Sequence, residues 1–393
     1  MERGSQGEWK LSMIPGESFR AFVPRALPPE PALVHDATLM DLLARAHLAL
    51  GRLDGLSTLL PDISLFLYLY VRKEAVLSSQ IEGTQSSLSD LLLFESEELP
   101  GVPLDDVREV SSYVAALEHG IARLESLPLS LRLLKEVHEI LLSQGRGSNK
   151  QPGEVRTSQN WIGGTRPGNA HFVPPPPHEL GACLSDLERF LHDLPERTPT
   201  LLKAALAHAQ FETIHPFLDG NGRLGRLLIT LLLCSEGAMQ KPLLYLSYYF
   251  RKHRAAYYEH LDRTRFLGDW EGWVQFFLEG VIATAEQASD SARQVLLLFE
   301  SDRQRLEAVG APASVLRVYP AFQRHPFRRV PATAEELGLT PQTVRGAFNL
   351  MVEQGILREV SGKKRDRLWA YSAYLTLLEH GVERPALSHE ETR

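Results

Sequence analysis

The chain has 393 residues, of which 44% are hydrophobic, and its formal net charge is −7. This balance excludes a protein built mainly to coat nucleic acid or an anionic membrane, although it allows a local basic patch. The length exceeds what one core usually holds and predicts two or three domains. Because the two cysteines, Cys183 and Cys234, form no CxxC pair, we expect no disulfide framework and a cytoplasmic location.

Helical spacing dominates the first part of the chain after an N-terminal arm. Residues 1–35 are rich in Pro, Gly and Arg without a sustained period, which predicts an extended arm. From residue 36 to about residue 145, apolar residues recur at helical spacing and predict four or five helices. We assign 36–110 to an N-terminal helical region and 111–285 to a helical core. The longest apolar runs are too short to span a membrane.

Residues 146–178 interrupt the helical pattern with many Pro and Gly residues. Short β-like pieces flank the sequence GGTRPGNA and predict a hairpin over 159–173. Helical periodicity returns from 179 to about 308, and we treat 286–310 as a linker helix. The predicted fold class is therefore mainly α, with a small β-hairpin in the core.

The C-terminal block has its own pattern. TAEELGL at 333–339 predicts a short helix, and Thr340 is the expected N-cap of a second helix that ends near Gly355. ILREVSGKKRDRLWAY alternates around a Gly-Lys-Lys turn, as a β-hairpin does. Helix, turn, helix and hairpin predict a winged helix-turn-helix domain over 311–380, followed by a tail at 381–393.

The most informative segment is HPFLDGNGRLGR, His215 to Arg226, which a long apolar helix follows. Gly220 and Gly222 flank Asn221, and glycine lets successive backbone N–H groups converge on an anion. The helix N-terminus adds unpaired N–H groups and the positive end of the helix dipole. Together these features predict a site for a diphosphate.

The charged side chains of this segment also fit phosphate chemistry. Arg223 and Arg226 share one helix face in the first turn, where the dipole disfavours cations unless an anion arrives. Asp219 beside a phosphate implies a bridging Mg²⁺, and His215 can accept a proton from an attacking hydroxyl. Phe217 is expected to point inward and anchor the loop. Each residue alone is typical of a turn or a core, but their combination favours phosphate chemistry.

HPFLDGNGRLGR resembles the motif of the Fic family, HxFx(D/E)GNGRxxR, at every fixed position. PGEVRTSQNWIGG, AHFVPPPP and LYLSYYF are also similar to stretches of that family, and the resemblance covers roughly residues 40–285. It implies a mostly helical catalytic core. It also implies a nucleotidyltransferase that moves AMP from ATP to a hydroxyl side chain of a target protein.

The resemblance implies a role for each matched residue. His215 is expected to be the general base, and Asp219 to hold Mg²⁺. Arg223 is expected beside the phosphates of ATP and Arg226 at the γ-phosphate. The residues expected to cradle the α- and β-phosphates are Gly220, Asn221 and Gly222, with Phe217 as the anchor of this loop.

The resemblance also suggests where the substrates bind. The hairpin at 159–173 is similar to the family's flap, which aligns the target segment as an added strand. Three aromatic residues lie where the resemblance implies the adenine pocket, although aromatic residues at helical spacing are usually part of a core. They are Tyr248, Tyr249 and Tyr257.

A second motif lies upstream, in LSSQIEGTQSS at 77–87. Ser78 and Glu82 share one face if this segment is helical, an arrangement that is also common on exposed helices. SSQIEG resembles the family's inhibitory motif, (S/T)xxxE(G/N), with Gly83 at its last position. The resemblance implies that Glu82 pairs bidentately with Arg226 and contests it with ATP. Arg223, by contrast, is expected to serve the nucleotide alone.

The C-terminal block keeps a second hypothesis open. Between residues 324 and 368, nine Lys or Arg face five Asp or Glu, a net charge of +4 in an acidic chain. Such a surface suits the phosphates of DNA, but a winged helix also serves as a protein-docking or homodimer module. The basic residues on the second helix and in the wing are Arg345, Lys363, Lys364, Arg365 and Arg367.

Three functions therefore compete. The first is a protein adenylyltransferase restrained by Glu82, and the second is a nucleotide-sensing DNA-binding regulator. The third is a related enzyme that uses another nucleotide donor or removes AMP. Intact His215 and Asp219 favour an enzyme over a sensor. A zinc-protease site is not expected, because His208, Glu212 and His215 follow HxxxExxH rather than HExxH.

Overall fold

The computed structural model describes residues 3–59, 63–95, 102–363 and 366–379. The strands are β1 (Gly7–Ile14), β2 (Glu17–Pro24), β3 (Phe327–Arg329), β4 (Leu357–Glu359) and β5 (Leu368–Tyr371). The helices of the first half are α1 (Ala37–Leu59), α2 (Ile63–Ile81), α3 (Leu88–Glu95), α4 (Leu104–Arg123), α5 (Leu131–Leu141) and α6 (Leu180–Leu191). The later helices are α7 (Thr200–Ile214), α8 (Asn221–Ser235), α9 (Ser247–Lys252), α10 (Arg254–Leu267), α11 (Trp270–Ala308), α12 (Ala313–Arg324), α13 (Val330–Leu337), α14 (Pro341–Glu353) and α15 (Ser372–Glu379).

The paired helices α7 and α8 lie at the centre of the helical body. Every residue of α7 from Leu201 to Ile214 is buried, and α8 is buried from Arg223 to Leu233. A helix that is enclosed on all sides needs neighbours on every face, and α2, α4, α5, α10 and α11 supply them by packing against this pair. The prediction of a mainly α fold is confirmed, and the loop that joins α7 to α8 is held between two buried helices.

The N-terminal arm predicted over 1–35 contains regular structure. β1 and β2 pair antiparallel over their full lengths, and the Phe22 N–H donates to the Val173 carbonyl at 2.9 Å. The apolar residues of β1 face outward, since Leu11 and Met13 are 76% and 77% exposed. The arm is therefore a β-hairpin that lies on the helical body, not an irregular extension.

The predicted hairpin at 159–173 is reduced to a single antiparallel bridge between Ile162 and Phe172. The loop between them does not continue the ladder, because the Asn169 side chain accepts the N–H groups of Thr165 and Arg166 at 3.0 Å. A short 3₁₀ helix, Pro167–Asn169, takes the place of strand residues. We keep the name flap for residues 159–173.

The predicted boundary at 285/286 falls inside one continuous helix. α11 runs for 39 residues without proline and packs on α1 and α7 as well as on α12 and α15. Most of the segment proposed as a linker, 286–310, is thus the second half of a helix that the helical core and the C-terminal block share.

The C-terminal block contains the predicted helix, turn, helix and hairpin, and one strand more. β3, β5 and β4 form an antiparallel sheet in that order, and Thr340 caps α14 by accepting the Thr343 N–H at 3.2 Å. Gly338 ends α13 at a φ of +61°. No helix in the described ranges is long and apolar enough to cross a membrane. The predicted residues that lie outside the described ones are Lys364, Arg365 and the tail at 381–393.

Candidate active site

Two left-handed residues reverse the chain between α7 and α8. His215 caps the end of α7 at φ 49° and ψ 60°, and its N–H donates to the Phe211 carbonyl at 2.9 Å. Gly220 precedes α8 at φ 75°. The left-handed region costs a non-glycine residue about 1–3 kcal/mol. His215 therefore keeps this conformation only because the surrounding structure holds it.

Asn221 fixes this loop from inside. Its Oδ1 accepts the Phe217 N–H at 2.9 Å, and its Nδ2 donates to the Phe217 carbonyl at 2.8 Å. The first intrahelical bond at this end of α8 runs from the Leu224 N–H to the Gly220 carbonyl. The N–H groups of the preceding first turn are therefore available to an anion. The Asn221 side chain is thus engaged by the loop, so the expected contact of Asn221 with phosphate would come from its main chain.

The imidazole of His215 is kept neutral. Burial and the nearby cations Arg156 and Arg265 lower the pKa of His215 to about 3. Its Nδ1 is buried and meets no hydrogen-bond partner within the described ranges. A neutral imidazole at physiological pH can accept a proton, as a general base requires.

His138 on α5 supports the loop in a way that the sequence did not reveal. Its ring stacks on Phe217 with 3.8 Å between centroids. The Gly153 N–H donates to Nδ1 at 2.8 Å, so Nε2 must carry the proton and donates to the Asp219 carbonyl at 3.0 Å. Burial lowers the pKa of His138 to about 4, which keeps it in this neutral form. The only sequence signal for this role was the position of His138 among the apolar residues of α5.

Asp219 presents a partly exposed carboxylate beside the loop. Its side chain is 31% exposed and lies 3.7 Å from Arg223 Nη2, and its Oδ1 accepts the Gly220 N–H at 2.6 Å. Among the described residues, no three or more His, Cys, Asp or Glu are arranged to hold a metal ion. A single accessible carboxylate fits Mg²⁺, which takes one or two protein carboxylates and completes its shell with water and phosphate oxygens.

Arg223 already faces a carboxylate of the protein. Its Nη1 lies 2.8 Å from Glu109 Oε1 on α4, and both side chains are almost fully buried. Neither η nitrogen meets an acceptor with hydrogen-bond geometry within the described ranges. The expectation that Arg223 serves the nucleotide alone is therefore incomplete, because its charge is balanced by Glu109 while its donors are not engaged.

Arg226 is shared between two residues of the upstream motif. Its Nε donates to Ser78 Oγ at 2.8 Å, and its Nη2 donates to the Ser78 carbonyl at 2.9 Å and to Glu82 Oε1 at 2.7 Å. The predicted contact is present but is not bidentate, because Ser78 takes one side of the guanidinium fork. Burial alone would raise the pKa of Glu82, and Arg226 outweighs it and holds that pKa below its ordinary value.

Glu82 lies against the N-terminus of α8. The residue follows the end of α2, in a turn that Gly83 completes at a φ of +100°. The Glu82 carbonyl accepts both η nitrogens of Arg146 at 3.2 and 3.1 Å. A Cβ added at Gly222 would overlap Glu82 Oε1. The carboxylate thus occupies the place where a helix N-terminus attracts an anion.

Tyr257 belongs to the core and not to an open pocket. It is 1% exposed and stacks on Phe250 with 4.6 Å between centroids. Its hydroxyl lies 2.8 Å from His208 Nε2, while His208 Nδ1 lies 2.8 Å from the Gly225 carbonyl. Since a carbonyl only accepts, His208 donates from Nδ1 and accepts from Tyr257. Both ring nitrogens are engaged, so the structure gives no support to a metal ligand at His208.

The other aromatic residues lie at different depths. Tyr248 and Tyr249 are half-buried, and the Tyr249 hydroxyl donates to Glu279 at 3.3 Å. Tyr258, which the sequence analysis did not select, is 40% exposed. Burial raises its pKa, and the charges of Glu82 and Arg226 act on it next. Of the two tyrosines of α10, Tyr257 is buried, and Tyr258 is the one that is exposed to a ligand near the contact between Glu82 and Arg226.

Comparisons with known proteins match this chain to one family. Residues 40–122 match the family model Fic/DOC family N-terminal, and residues 128–233 match the model Fic/DOC family. Residues 40–122 and 128–233 therefore carry the two domains of the Fic/DOC family, and the resemblance drawn from HPFLDGNGRLGR is confirmed. The two models cover the segments that carry Glu82 and Arg226, respectively.

The curated relatives found are named Protein adenylyltransferase Fic. The relative from Drosophila melanogaster is 27% identical over 257 residues, which cover 61% of this chain and 49% of the relative. The relative from Drosophila yakuba is 28% identical over 257 residues, which cover 61% of this chain and 48% of the relative. The chain thus spans about half the length of the curated relatives that it matches.

Solved structures show the same fold. A Fic family protein from Desulfovibrio desulfuricans G20 superposes with a TM-score of 0.56 at 21% identity, covering 88% of this chain and 98% of that chain. A fragment of Fic-1 from C. elegans gives a TM-score of 0.50 at 23% identity, covering 66% of this chain and 74% of that one. The first of these likenesses reaches beyond the two family models.

Proposed function

We propose that this chain is a protein adenylyltransferase, which moves AMP from ATP to a hydroxyl side chain of a target protein. The observation that carries the proposal is the Glu82 carboxylate, which lies 2.7 Å from Arg226 at the N-terminus of α8. A site that attracts an internal anion so strongly is a site suited to a phosphate. The names of the curated relatives support the same activity.

Several groups of the loop suit the phosphates of ATP. The N–H groups of the first turn of α8 have no intrahelical acceptor, and the η nitrogens of Arg223 have no partner with hydrogen-bond geometry within the described ranges. Arg226 would receive the γ-phosphate once Glu82 leaves. Asp219 would hold Mg²⁺, which neutralises phosphate charge when bound. These contacts would fix the α-phosphorus in front of His215.

The transfer itself needs one base. The hydroxyl oxygen of the target attacks the α-phosphorus and forms a new oxygen–phosphorus bond, while the bond to the bridging oxygen of the leaving pyrophosphate breaks. The hydroxyl proton passes to His215, whose neutral ring can accept it. The products are the AMP-modified target and pyrophosphate.

The flap offers a place for the target segment. Ile162 and Phe172 form a bridge in the flap, and Trp161 beside them is 36% exposed. A target segment that adds as a strand needs mainly its own backbone for binding, so its sequence is weakly constrained. The hydroxyl to be modified would be set by the register of that strand.

We further propose that Glu82 restrains the enzyme. While Glu82 pairs with Arg226, the γ-phosphate loses its arginine and the α-phosphorus is misplaced for in-line attack. A misplacement of about 1 Å can cost on the order of 100-fold in rate. ATP binding and resting inactivity are therefore compatible, and activity would follow when Glu82 moves away.

The direct test uses ATP labelled at the α-phosphate, with Mg²⁺, on the wild type and on His215→Ala. We expect protein-bound label from the wild type or its Glu82→Gly variant and none from His215→Ala. Label carried from the γ-phosphate instead would indicate a kinase-like reaction. Label from another nucleotide at a higher rate would identify a different donor, and loss of AMP from a pre-labelled protein would indicate hydrolytic removal of AMP.

A second function concerns the C-terminal block. Gln342, Arg345 and Asn349 share the exposed face of α14, and these residue types pair with base edges in a major groove. Together with the net charge of +4 between residues 324 and 368, this face favours DNA as a partner. Self-association of two chains through the same block is the other outcome that a binding experiment has to distinguish.

A further inference from the structure

Arg156 is one of the largest fully buried side chains of the molecule, at 1% exposure. Its Nε donates to the His215 carbonyl at 2.9 Å, its Nη1 to the Ser158 carbonyl at 3.1 Å and its Nη2 to the Pro175 carbonyl at 2.6 Å. Its main-chain N–H donates to the Pro216 carbonyl at 3.0 Å. One residue therefore binds the main chain at four places.

These carbonyls belong to two functional segments. His215 and Pro216 begin the loop that precedes α8, and His215 holds a left-handed conformation. Ser158 and Pro175 lie just outside the two ends of the flap, residues 159–173. The planar guanidinium of Arg156 thus joins the peptide of the proposed base to both ends of the segment that is proposed to hold the target.

The guanidinium of Arg156 contacts main-chain carbonyls and not a carboxylate. Arg156 forms no salt bridge within the described ranges, and burial lowers its pKa to about 10. A buried cation that binds only carbonyls is costly unless its directional bonds are needed. Arginine presents its donors in a fixed plane, whereas lysine offers a single point of charge on a flexible stem.

We infer that Arg156 is a positioning residue that sets the register between His215 and the flap. By fixing the His215 carbonyl and both ends of the flap, it aligns a strand added to the flap so that its hydroxyl meets the imidazole. This inference rests on the proposed function for the roles of His215 and the flap. The contacts of Arg156 themselves do not depend on it.

The kinetic test measures self-modification with α-labelled ATP in the Glu82→Gly background. We expect Arg156→Met and Arg156→Lys to lower the rate at saturating ATP about 100-fold, with the half-saturating ATP concentration unchanged. In Arg156→Ala, added methylguanidine should restore part of the rate and methylammonium should not. A normal rate in Arg156→Lys would overturn the inference. No transfer in Glu82→Gly itself would instead count against the proposed function.

A second readout does not need activity. The N–H groups of Ile162 and Phe172 form the flap bridge, and their amide hydrogen exchange should become about tenfold faster in Arg156→Met, as the loss of one or two hydrogen bonds predicts. Exchange in α7 and α8 should stay as in the wild type. If all regions exchange faster in Arg156→Met, the variant is destabilised as a whole, and flap exchange is measured in Arg156→Lys instead. Unchanged flap exchange in Arg156→Lys would overturn the inference.

Arg328 provides a control, which differs from Arg156 in that it also pairs with Glu336. It is also a buried arginine, and its Nε donates to the Ala321 carbonyl at 2.8 Å in the C-terminal block. Arg328→Met should lower the free energy of unfolding without changing flap exchange or label incorporation. An equal effect of both substitutions on the flap would show that loss of a buried arginine, and not the register that Arg156 sets, is what matters.

Discussion

At the level of single residues, Glu212 is a second buried carboxyl group in this site. It lies three residues before His215, is 7% exposed, and its Oε1 has no hydrogen-bond partner in the described part of the chain. Burial raises the pKa of Glu212 from 4.5 to about 7, while Arg226 acts in the opposite direction. A second carboxylate is thus held near the arginine that Glu82 binds.

This raised pKa predicts a pH-dependent stability. Between pH 4.5 and 7 the folded protein keeps a proton that the unfolded chain has lost. The free energy of unfolding therefore falls as pH rises through this window. Glu212→Gln should remove that fall. The free energy of unfolding of the variant, measured relative to wild type, should therefore be on the order of 3 kcal/mol higher at pH 8 than at pH 5. Chemical denaturation at both pH values measures it, and parallel curves for the two proteins would contradict the assignment.

The sequence could predict some of these residues but not all. Ser78, Glu82 and Arg226 belong to two recognisable motifs, and the contact between those motifs was predicted. Glu109 gave no signal, and Arg156 lies in the family-like stretch PGEVRTSQNWIGG but received no role. A single sequence shows which residues share a helix face but not which distant elements meet. The sequence therefore predicted a role for Arg223 but not its contact with Glu109.

At the level of elements, α2 and the turn that follows it carry the proposed restraint. Glu74, Ser78 and Glu82 follow each other at intervals of four residues. Glu74 is 3% exposed and accepts hydrogen bonds from the Ser247 hydroxyl and N–H and from Tyr113. Glu74 therefore ties α2 to α9 and α4, two turns before the contact of Glu82 with Arg226.

We predict that Glu74→Ala weakens the restraint without changing Glu82. The substitution leaves the donors of Ser247 and Tyr113 buried without an acceptor, which costs roughly 1–3 kcal/mol each, so α2 should hold Glu82 less firmly. Incorporation of α-label should rise above the wild-type rate but stay below that of Glu82→Gly. Glu74→Gln keeps an acceptor oxygen and is the control. A wild-type rate in Glu74→Ala would refute the coupling.

The N-terminal hairpin shows why one element was not predicted. Pro15 and Gly16 mark a turn between alternating residues, which is a hairpin signal. The alternation points the wrong way, because Leu11 and Met13 are exposed, and strand patterns are usually recognised by an apolar face that is buried. The helices were easier, since α7 and α8 bury apolar residues in long uninterrupted runs.

At the level of the whole molecule, α11 packs against both the helical core and the C-terminal block. Its N-terminal half packs among the helices that surround α7, and the same helix contacts α12 and α15 of the block. The Tyr371 hydroxyl donates to Asp302 of α11 at 2.6 Å. The block is therefore anchored to a helix of the core and not attached through a loose linker.

The proposal that this block binds DNA predicts a strong dependence on salt. Replacing Lys363 and Lys364 by Glu should weaken binding to all DNA sequences. The negative slope of log affinity against log salt concentration should become shallower by about 1.8. Fluorescence anisotropy over a salt series measures both. Arg293→Glu and Arg303→Glu together on α11 make the same change in charge outside the block and are the control. No binding at low salt, together with a dimer in sedimentation, would assign the surface to self-association instead.

The most direct test of the central claim compares α-label incorporation by wild type and Glu82→Gly at equal protein, ATP and Mg²⁺ concentrations. If Glu82 holds Arg226 away from the γ-phosphate, the variant should incorporate on the order of 100-fold more label. Adding His215→Ala to the variant should abolish that gain. Equal incorporation by wild type and Glu82→Gly would contradict the account.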